Sequence, residues 1–558
     1  MTVPVGSKRA DATGAFAAGP GLADRREAGQ DEWVFGLELV VLLGVALVAC
    51  GALAHRYPIA PAILLVLTGF LVGFVPHLRQ VQLPPEVVLL LFLPALLYWE
   101  SVTTSLREIR HNLRVVVLTS TVLVVATAAA VAAAAHGLGL AWGPAWVLGA
   151  ALAPTDATAV GVLAGDLPRR TVTVLRAESL VNDGTALVLY GLAVGVTVGE
   201  QQLTGWHVTW MLAWSYLGGV LAGALIGLLS WQLRRRMDDP MLESIAMLVT
   251  PFAAFLLADT AHASGVLAVV VCGLWMSQVT PRITGAVTRQ IALPFWALST
   301  TVLSSSLFVL IGLSAQSALR ELNSTSSFQA LVDVLAVTAV VIGVRWAWVY
   351  TTPYLIRLLD RRPAQRLRRV PARQRTVTAV AGFRGAVSLA AVLAVPHTLA
   401  SGAPFPDRDL MVLITCGVIV LTLLQALLLP SVVRFARLPV DTSVAEELQF
   451  ADVYSLDAAI DALDTTADEL GSGEMVVARV RHELEKQRKL LASGGAEGDP
   501  VIQHDDQYRS LSLALIARRR EALLELRDAQ RIDDIVLRRV QTRLDQEEVR
   551  FLRANPLE

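Results

Sequence analysis

The stretch that decides the fold is ALAPTDATAVGVLAGD (151–166), followed after a short basic turn by AESLVNDG (177–184). Both pieces lie inside apolar runs long enough to cross a bilayer, yet together they carry Asp156, Glu178 and Asp183. An ionisable group at membrane depth costs about 2.5 to 3.5 kcal/mol on insertion scales, so three of them in adjacent spans ask for a function. A cation or proton site meets that demand.

The rest of the chain fits a polytopic membrane protein. Of 558 residues, 54% are hydrophobic and 17% charged, and the mean hydropathy is +0.55, which excludes an ordinary large soluble enzyme. A net charge of -1 says nothing about partners, and no nucleic-acid partner is expected. The three cysteines, Cys50, Cys272 and Cys416, stand far apart in apolar runs, so neither a disulfide framework nor a Cys-x-x-Cys metal site is indicated. The sequence implies no cofactor. Residues 1–32 are Gly/Ala-rich and polar, a composition that predicts a disordered segment without a signal peptide.

Beyond them, runs of roughly 20 apolar residues predict thirteen spans in an all-α domain over 33–437. They fall near 34–54, 59–75, 86–104, 114–135, 144–164, 171–198, 207–232, 241–258, 262–278, 291–315, 328–357, 375–396 and 410–433. Loops after odd spans are rich in arginine (Arg107, Arg110 and Arg114; Arg169 and Arg170; Arg234 to Arg236; the run from Arg357 to Arg375), while loops after even spans hold little positive charge. By the positive-inside rule the N-terminus is outside and the C-terminus cytoplasmic. Residues 438–558 carry mixed charge, with helical periodicity in 475–491 and 508–553 around the breaker SGGAEGDP, which predicts a cytoplasmic helical tail.

In span 6 each residue advances about 100 degrees, so Glu178, Ser179, Asn182 and Asp183 share one helix face and offer a set of oxygen ligands suited to a hard cation. In span 5, Pro154 precedes Thr155 and Asp156 and breaks the helix at membrane depth, freeing carbonyls that point partial negative charge at a cation. Span 12 has a matching irregularity, VAGFRGAVSLA (380–390), with Gly382 and Gly385 around Arg384. Interrupted spans at positions 5 and 12 predict inverted repeats whose broken helices cross near the midplane. Arg384 is expected to offset half-helix carbonyl charge there, and Arg345 in span 11 lies at a depth suited to Glu178, although the sequence leaves open which arginine pairs with which acid. Glu38, Glu100, Glu243, Asp259 and Asp333 fall toward span ends or in peripheral spans, where solvated positions would explain them.

These segments together carry a resemblance. PTDATAV (154–160), ESLVNDGTA (178–186), SGVLAVVVCGL (264–274), GFRGAVSLA (382–390) and LTLLQALLLP (421–430), in that order, resemble the NhaP/NHE-type monovalent cation/proton antiporters over about 34–436. The resemblance implies a Na+ site at Asp183, Asp156, Ser179 and the backbone of Thr155, with Glu178 and Asn182 in support and Arg345 and Arg384 as structural arginines. It further implies a homodimer in the cell membrane, and one-for-one exchange, because Asn182 stands where Asp-Asp relatives have a second acid. The residues lead to the same mechanism unaided: burial disfavours the charged form of Asp183, which then holds either a proton or a cation but not stably both. The expectation is a Na+(Li+)/H+ antiporter, with K+/H+ exchange the near alternative and a cation channel or a membrane-anchored signalling protein the more distant ones.

Overall fold

The computed structural model describes residues 41–57, 60–75, 88–111, 116–156, 167–199, 205–321, 327–359, 371–438, 443–492, 500–531 and 533–552. The expected N-terminal segment, Glu38 and the second half of span 5 lie outside the described residues. The chain divides into two compact units, Met1–Val440 and Asp441–Glu558.

The first unit is built of helices: α1 (Val41–Arg56), α2 (Pro61–Val72), α3 (Leu93–Thr103), α4 (Leu106–His111), α5 (Val124–Gly137), α6 (Trp142–Leu152), α7 (Arg169–Val198), α8 (Gly205–Arg234), α9 (Pro240–Thr260) and α10 (Gly265–Ile283). It continues with α11 (Ala286–Glu321), α12 (Ser327–Leu359), α13 (Ala372–Val380), α14 (Ala386–Leu393), α15 (Arg408–Ala426) and α16 (Leu429–Ala436). Among the described residues eight helices are long and apolar enough to cross a membrane, with three shorter apolar ones, Val41–Arg56, Pro61–Val72 and Leu90–Thr103. Helices dominate because hydrocarbon supplies no partner for a backbone N–H or C=O, and a helix satisfies both internally.

Local chemistry sets the ends. Asp239 caps α9 by accepting from the backbone N–H groups of Met241 and Leu242 at 2.7 and 3.2 Å, and Ser264 caps α10 through Leu267 N–H. Span 13, expected to be continuous, is divided at Leu427–Leu428 into α15 and α16. The reason is Pro430, which has no N–H to give and whose ring crowds the carbonyl of Ala426, the residue at which α15 ends. Pro94 acts similarly at the head of α3, which enters through a π-helical turn at Val88–Phe92; a second such turn, Leu118–Leu123, leads into α5.

The helices meet where side chains are smallest. A Cβ on Gly69 of α2 would stand 2.0 Å from the carbonyl oxygen of Val309 on α11, and one on Gly312 of α11 would stand 2.1 Å from that of Val66. Gly149 brings α6 against α5 in the same way, and Gly223 brings α8 against α10. Association in lipid has no apolar driving force to exploit, so this backbone-to-backbone approach supplies the attraction.

Two acids expected in solvated positions are buried. Glu243 accepts from Arg234 at 3.0 Å and from Thr284 Oγ1 at 2.9 Å, and Asp333 accepts from Gln329 at 3.0 Å. Each reaches a donor within its own helix cluster, which is what makes burial tolerable.

The second unit holds α17 (Ser443–Asp461), α18 (Leu463–Leu470), α19 (Glu474–Ala492), α20 (Pro500–Asp528) and α21 (Asp534–Leu552). Helices α17 and α19 pack together, with Arg488 pairing Asp457. Helices α20 and α21 pack around Ile516, Leu537 and Leu544, with Arg519 paired to Glu547 at 2.7 Å and Arg520 to both Asp545 and Glu548. Exposed pairs of this kind add little stability, so the apolar seam holds the helices together.

Candidate cation site

Helix α6 stops at Leu152 with Ala153 as its C-cap, and Pro154, Thr155 and Asp156 continue outside any helix. Across from them α13 stops at Val380, and the chain resumes as α14 only at Ala386. The two irregular stretches touch: Asp156 N–H donates to Phe383 C=O at 2.8 Å. Here each satisfies a backbone group that its own helix has released.

Helix α7 lies against this junction and presents the face anticipated from its periodicity. Ser179 Oγ donates to the Thr155 carbonyl at 2.9 Å, and Asn182 Nδ2 donates to Thr155 Oγ1 at 2.7 Å. Glu178, Ser179, Asn182 and Asp183 are all buried, as is Thr155, while Asp156 is half-buried. Asp183 lies within electrostatic reach of Asp156, Glu100 and Arg384. The sequence-based site residues are therefore gathered in one place, although they come from helices far apart in the chain.

The question of arginine pairing has an answer. Arg345 of α12 binds Glu178 Oε1 through Nη1 at 2.6 Å, with both side chains almost wholly buried. Its Nε also donates to Thr378 C=O at 3.2 Å, near the end of α13. The guanidinium that neutralises a carbonyl of the interrupted helix is thus that of Arg345, where the sequence favoured Arg384. The cause is reach: the long side chain of Arg345 passes directly over Gly382, where a Cβ would fall 2.1 Å from its Cδ. Arg384 is fully buried, and its Nε and Nη1 meet no protein acceptor among the described residues.

Two further groups were quoted in the sequence without a role. Thr422 Oγ1 accepts from Arg384 N–H at 3.2 Å, and Gln425 Nε2 donates to Val380 C=O at 3.2 Å. Both sit on α15 within LTLLQALLLP and fasten the non-helical turn on either side. Glu100, like Glu243 and Asp333, departs from its expected solvated position. It stands on α3, half-buried rather than solvated, within electrostatic range of Asp156 and Arg176 as well as of Asp183. A signal was present, since Glu100 interrupts an apolar run, but its proximity to the span end obscured it.

Gly385 explains how the carboxylate of Asp156 comes so close to the second break. A Cβ there would lie 1.8 Å from Asp156 Oδ2. The geometry gathers the Asp156 and Asp183 carboxylates, the Ser179 hydroxyl and the Thr155 main-chain carbonyl, an all-oxygen set of the kind hard cations prefer.

Residues 42–435 match the family described as sodium/hydrogen exchanger, transmembrane. The chain belongs to the sodium/hydrogen exchanger family. Antiporters of this family are membrane transporters, so the protein is a multi-pass antiporter of cations and protons. It is 47% identical over 533 residues to an uncharacterized Na+/H+ exchanger of Mycobacterium tuberculosis, covering 95% of this chain and 98% of that one. It is 30% identical to the Na+/H+ antiporter ApNhaP of Aphanothece halophytica, over 72% of this chain and 74% of the relative. Among solved structures it is similar in fold to the sodium proton antiporter MjNhaP1 of Methanocaldococcus jannaschii, with a TM-score of 0.55, 18% identity, and coverage of 73% of this chain and 99% of that one. The antiporter fold anticipated from five short segments is therefore the fold observed.

Proposed function

We infer that this exchanger trades Na+ or Li+ for H+, one for one, by letting cation and proton compete for Asp183 while the site opens alternately to each side of the membrane. The observation that carries the reading is the union of Thr155, Asp156, Ser179, Asn182 and Asp183 at the meeting of two non-helical stretches. In this reading Asp183 and Asp156 supply charge, and the Thr155 carbonyl and Ser179 Oγ supply neutral oxygens. The Ser179 bond to Thr155 C=O leaves lone pairs on both oxygens, so it orients two ligands without consuming them. Glu100 on α3 lies within electrostatic range of both Asp183 and Asp156.

Glu178 is withheld from this competition by Arg345, and Asn182 contributes a neutral amide. That leaves exchange centred on one carboxylate at Asp183, which supports electroneutrality. The broken helices α6 and α13/α14 are taken as the crossing pair of two inverted repeats, with the N-terminus outside and the second unit cytoplasmic. The protein acts as a homodimer in the cell membrane, where no cofactor takes part.

A second reading concerns the ion alone. A relative from Bacillus pumilus, 27% identical over 76% of this chain, is described as a sodium, potassium, lithium and rubidium/H+ antiporter, which favours K+ as the alternative substrate. Proton flux in sealed vesicles driven in turn by Na+, Li+ and K+ gradients separates the readings. The expected result is saturable flux with Na+ and Li+ and a weaker response to K+. A flux that responds to K+ alone, or that continues without proton coupling, would overturn it.

A further inference from the structure

A polar space borders the cation site and shares Thr155, Asn182 and Glu178 with it. It is a small cavity of about 10 Å³, lined by Thr119, Thr127, Ala153, Asn182, Arg345 and Arg384 among others. Three buried polar atoms on its lining residues have no protein partner among the described residues: Arg384 Nε, Arg384 Nη1 and Asn182 Oδ1. The first two can only donate and the third can only accept. Arg384 and Asn182 line the same cavity without a bond between them.

We propose that this cavity is a binding site for one water molecule, held between the Arg384 guanidinium and the Asn182 carboxamide. The inference rests on the functional reading above for its consequence, though not for its existence. The volume fits a single water, whose minimum requirement is about 10 to 15 Å³. The chemistry fits too, since water accepts from Arg384 and donates to Asn182 Oδ1 at once. A small anion suits the two guanidinium groups but gives Asn182 Oδ1 no donor and is repelled by Glu178, which also lines the cavity. The π-helical turn Leu118–Leu123 contributes Thr119 and Leu123 to the wall, an irregularity of the sort that recurs at functional sites.

The consequence is a line of positioning. Asn182 gives its Nδ2 to Thr155 Oγ1, so fixing the other end of the amide fixes Thr155, whose carbonyl is a cation ligand in the proposed function. Arg384 is then a positioning residue that acts through water, and its buried charge is oriented rather than idle.

The test uses the full chain in two ways. A density map fine enough to resolve ordered solvent is expected to show a peak about 2.7 to 3.2 Å from Asn182 Oδ1 and from Arg384 Nε or Nη1. An empty cavity, or a guanidinium turned onto a protein acceptor, overturns the proposal, as does a peak that is replaced by bromide when the protein is prepared in bromide salt. Second, Ala153→Val places methyl groups in the cavity and displaces the water. The apparent KM for Na+ is expected to rise about fivefold, the effect of roughly one ordinary hydrogen bond, with turnover at saturation little changed. An unchanged KM in a variant of wild-type thermal stability overturns the positioning role; if that variant fails to fold, the wild-type map decides alone. Should the wild-type chain carry no Na+-dependent proton flux at all, the functional reading fails, while the map still tests the water.

Discussion

Removing one partner of the Glu178–Arg345 pair separates the two arginines of the site. Both side chains are about 95% or more buried and meet at 2.6 Å, and a buried pair that loses one member typically costs about 3 to 5 kcal/mol, because the survivor is left uncompensated. The two losses are not equivalent here. Arg384 lies within electrostatic range of Arg345, Glu178 and Asp183. Glu178→Gln leaves two guanidinium groups facing each other across the same cavity, and the cost is expected at the upper end, about 4 to 5 kcal/mol. Arg345→Gln leaves Glu178 facing Arg384, which is of opposite sign, so the cost is expected nearer 3 kcal/mol or below. The lost bond from Arg345 Nε to Thr378 C=O adds about 1 kcal/mol to that figure without reversing the order. The double variant Glu178→Gln/Arg345→Gln should be less destabilised than the sum of the singles, with a coupling of about 1 to 3 kcal/mol. Thermal unfolding of purified protein in detergent, read by intrinsic tryptophan fluorescence, gives the ranking. If Arg345→Gln proves as damaging as Glu178→Gln, or the double variant is simply additive, the pair is not the electrostatic unit argued here.

The remaining expectations concern transport. Asp183→Asn keeps the shape of the side chain but cannot trade a proton for a cation, so vesicle flux should vanish while thermal stability is held; retained antiport sinks the assignment. Asp156→Asn removes a charged ligand oxygen and should raise the apparent KM for Na+, and an unchanged value would make Asp156 purely structural. Gly385→Ala drives a methyl group to 1.8 Å from Asp156 Oδ2, displacing the same carboxylate without altering its chemistry, and a misplacement near 1 Å is expected to lower transport efficiency by up to about 100-fold. Wild-type activity in Gly385→Ala would show that Asp156 has slack in its position. Clamping the membrane potential in vesicles should leave the wild-type rate unchanged, and a rate that rises steeply with potential refutes one-for-one exchange.

The residues most legible in the sequence were those that violate its solvent. Asp156, Glu178 and Asp183 stand out because hydrocarbon tolerates no idle charge, and the 3.6-residue period alone places Glu178, Ser179, Asn182 and Asp183 on one face. Pro154 and the Gly382–Gly385 pair announced the helix breaks by removing a donor and side chains. Contacts between distant segments were less accessible. Whether Arg345 or Arg384 meets Glu178 depends on the passage of one side chain over Gly382, and Gly382 carries no mark of that use. Depth along a span does not reveal the burial of Glu243 and Asp333 against neighbours; Arg234 at the end of α8 reaches Glu243 in the first turn of α9 across the connection between the two helices. Glu100 was missed for the same reason. Pro430 was visible from the outset, and its division of span 13 could have been anticipated from the rule applied to Pro154.

The arrangement of charge around Asp183 bears on why one carboxylate can govern exchange in a site that holds several. Glu178 is bound to Arg345 and its charge is spent on holding α7 to α12, so it is not offered to an incoming ion. Asn182 gives its amide to Thr155 and presents no charge. Asp156 is tied through its backbone to Phe383 and stands half-buried at the junction, where the proposed function has it ligate the cation. With Glu178 held by Arg345, Asp183 is the deeply buried acid left on the face shared with Ser179 and Asn182. Two carboxylates in that position would repel each other's charged forms and bind a proton between them or carry a second charge through the cycle. In the proposed exchange, with Asn182 in the adjacent place, a bound cation and a bound proton would each neutralise the same single charge, and that equivalence would make the exchange electrically silent.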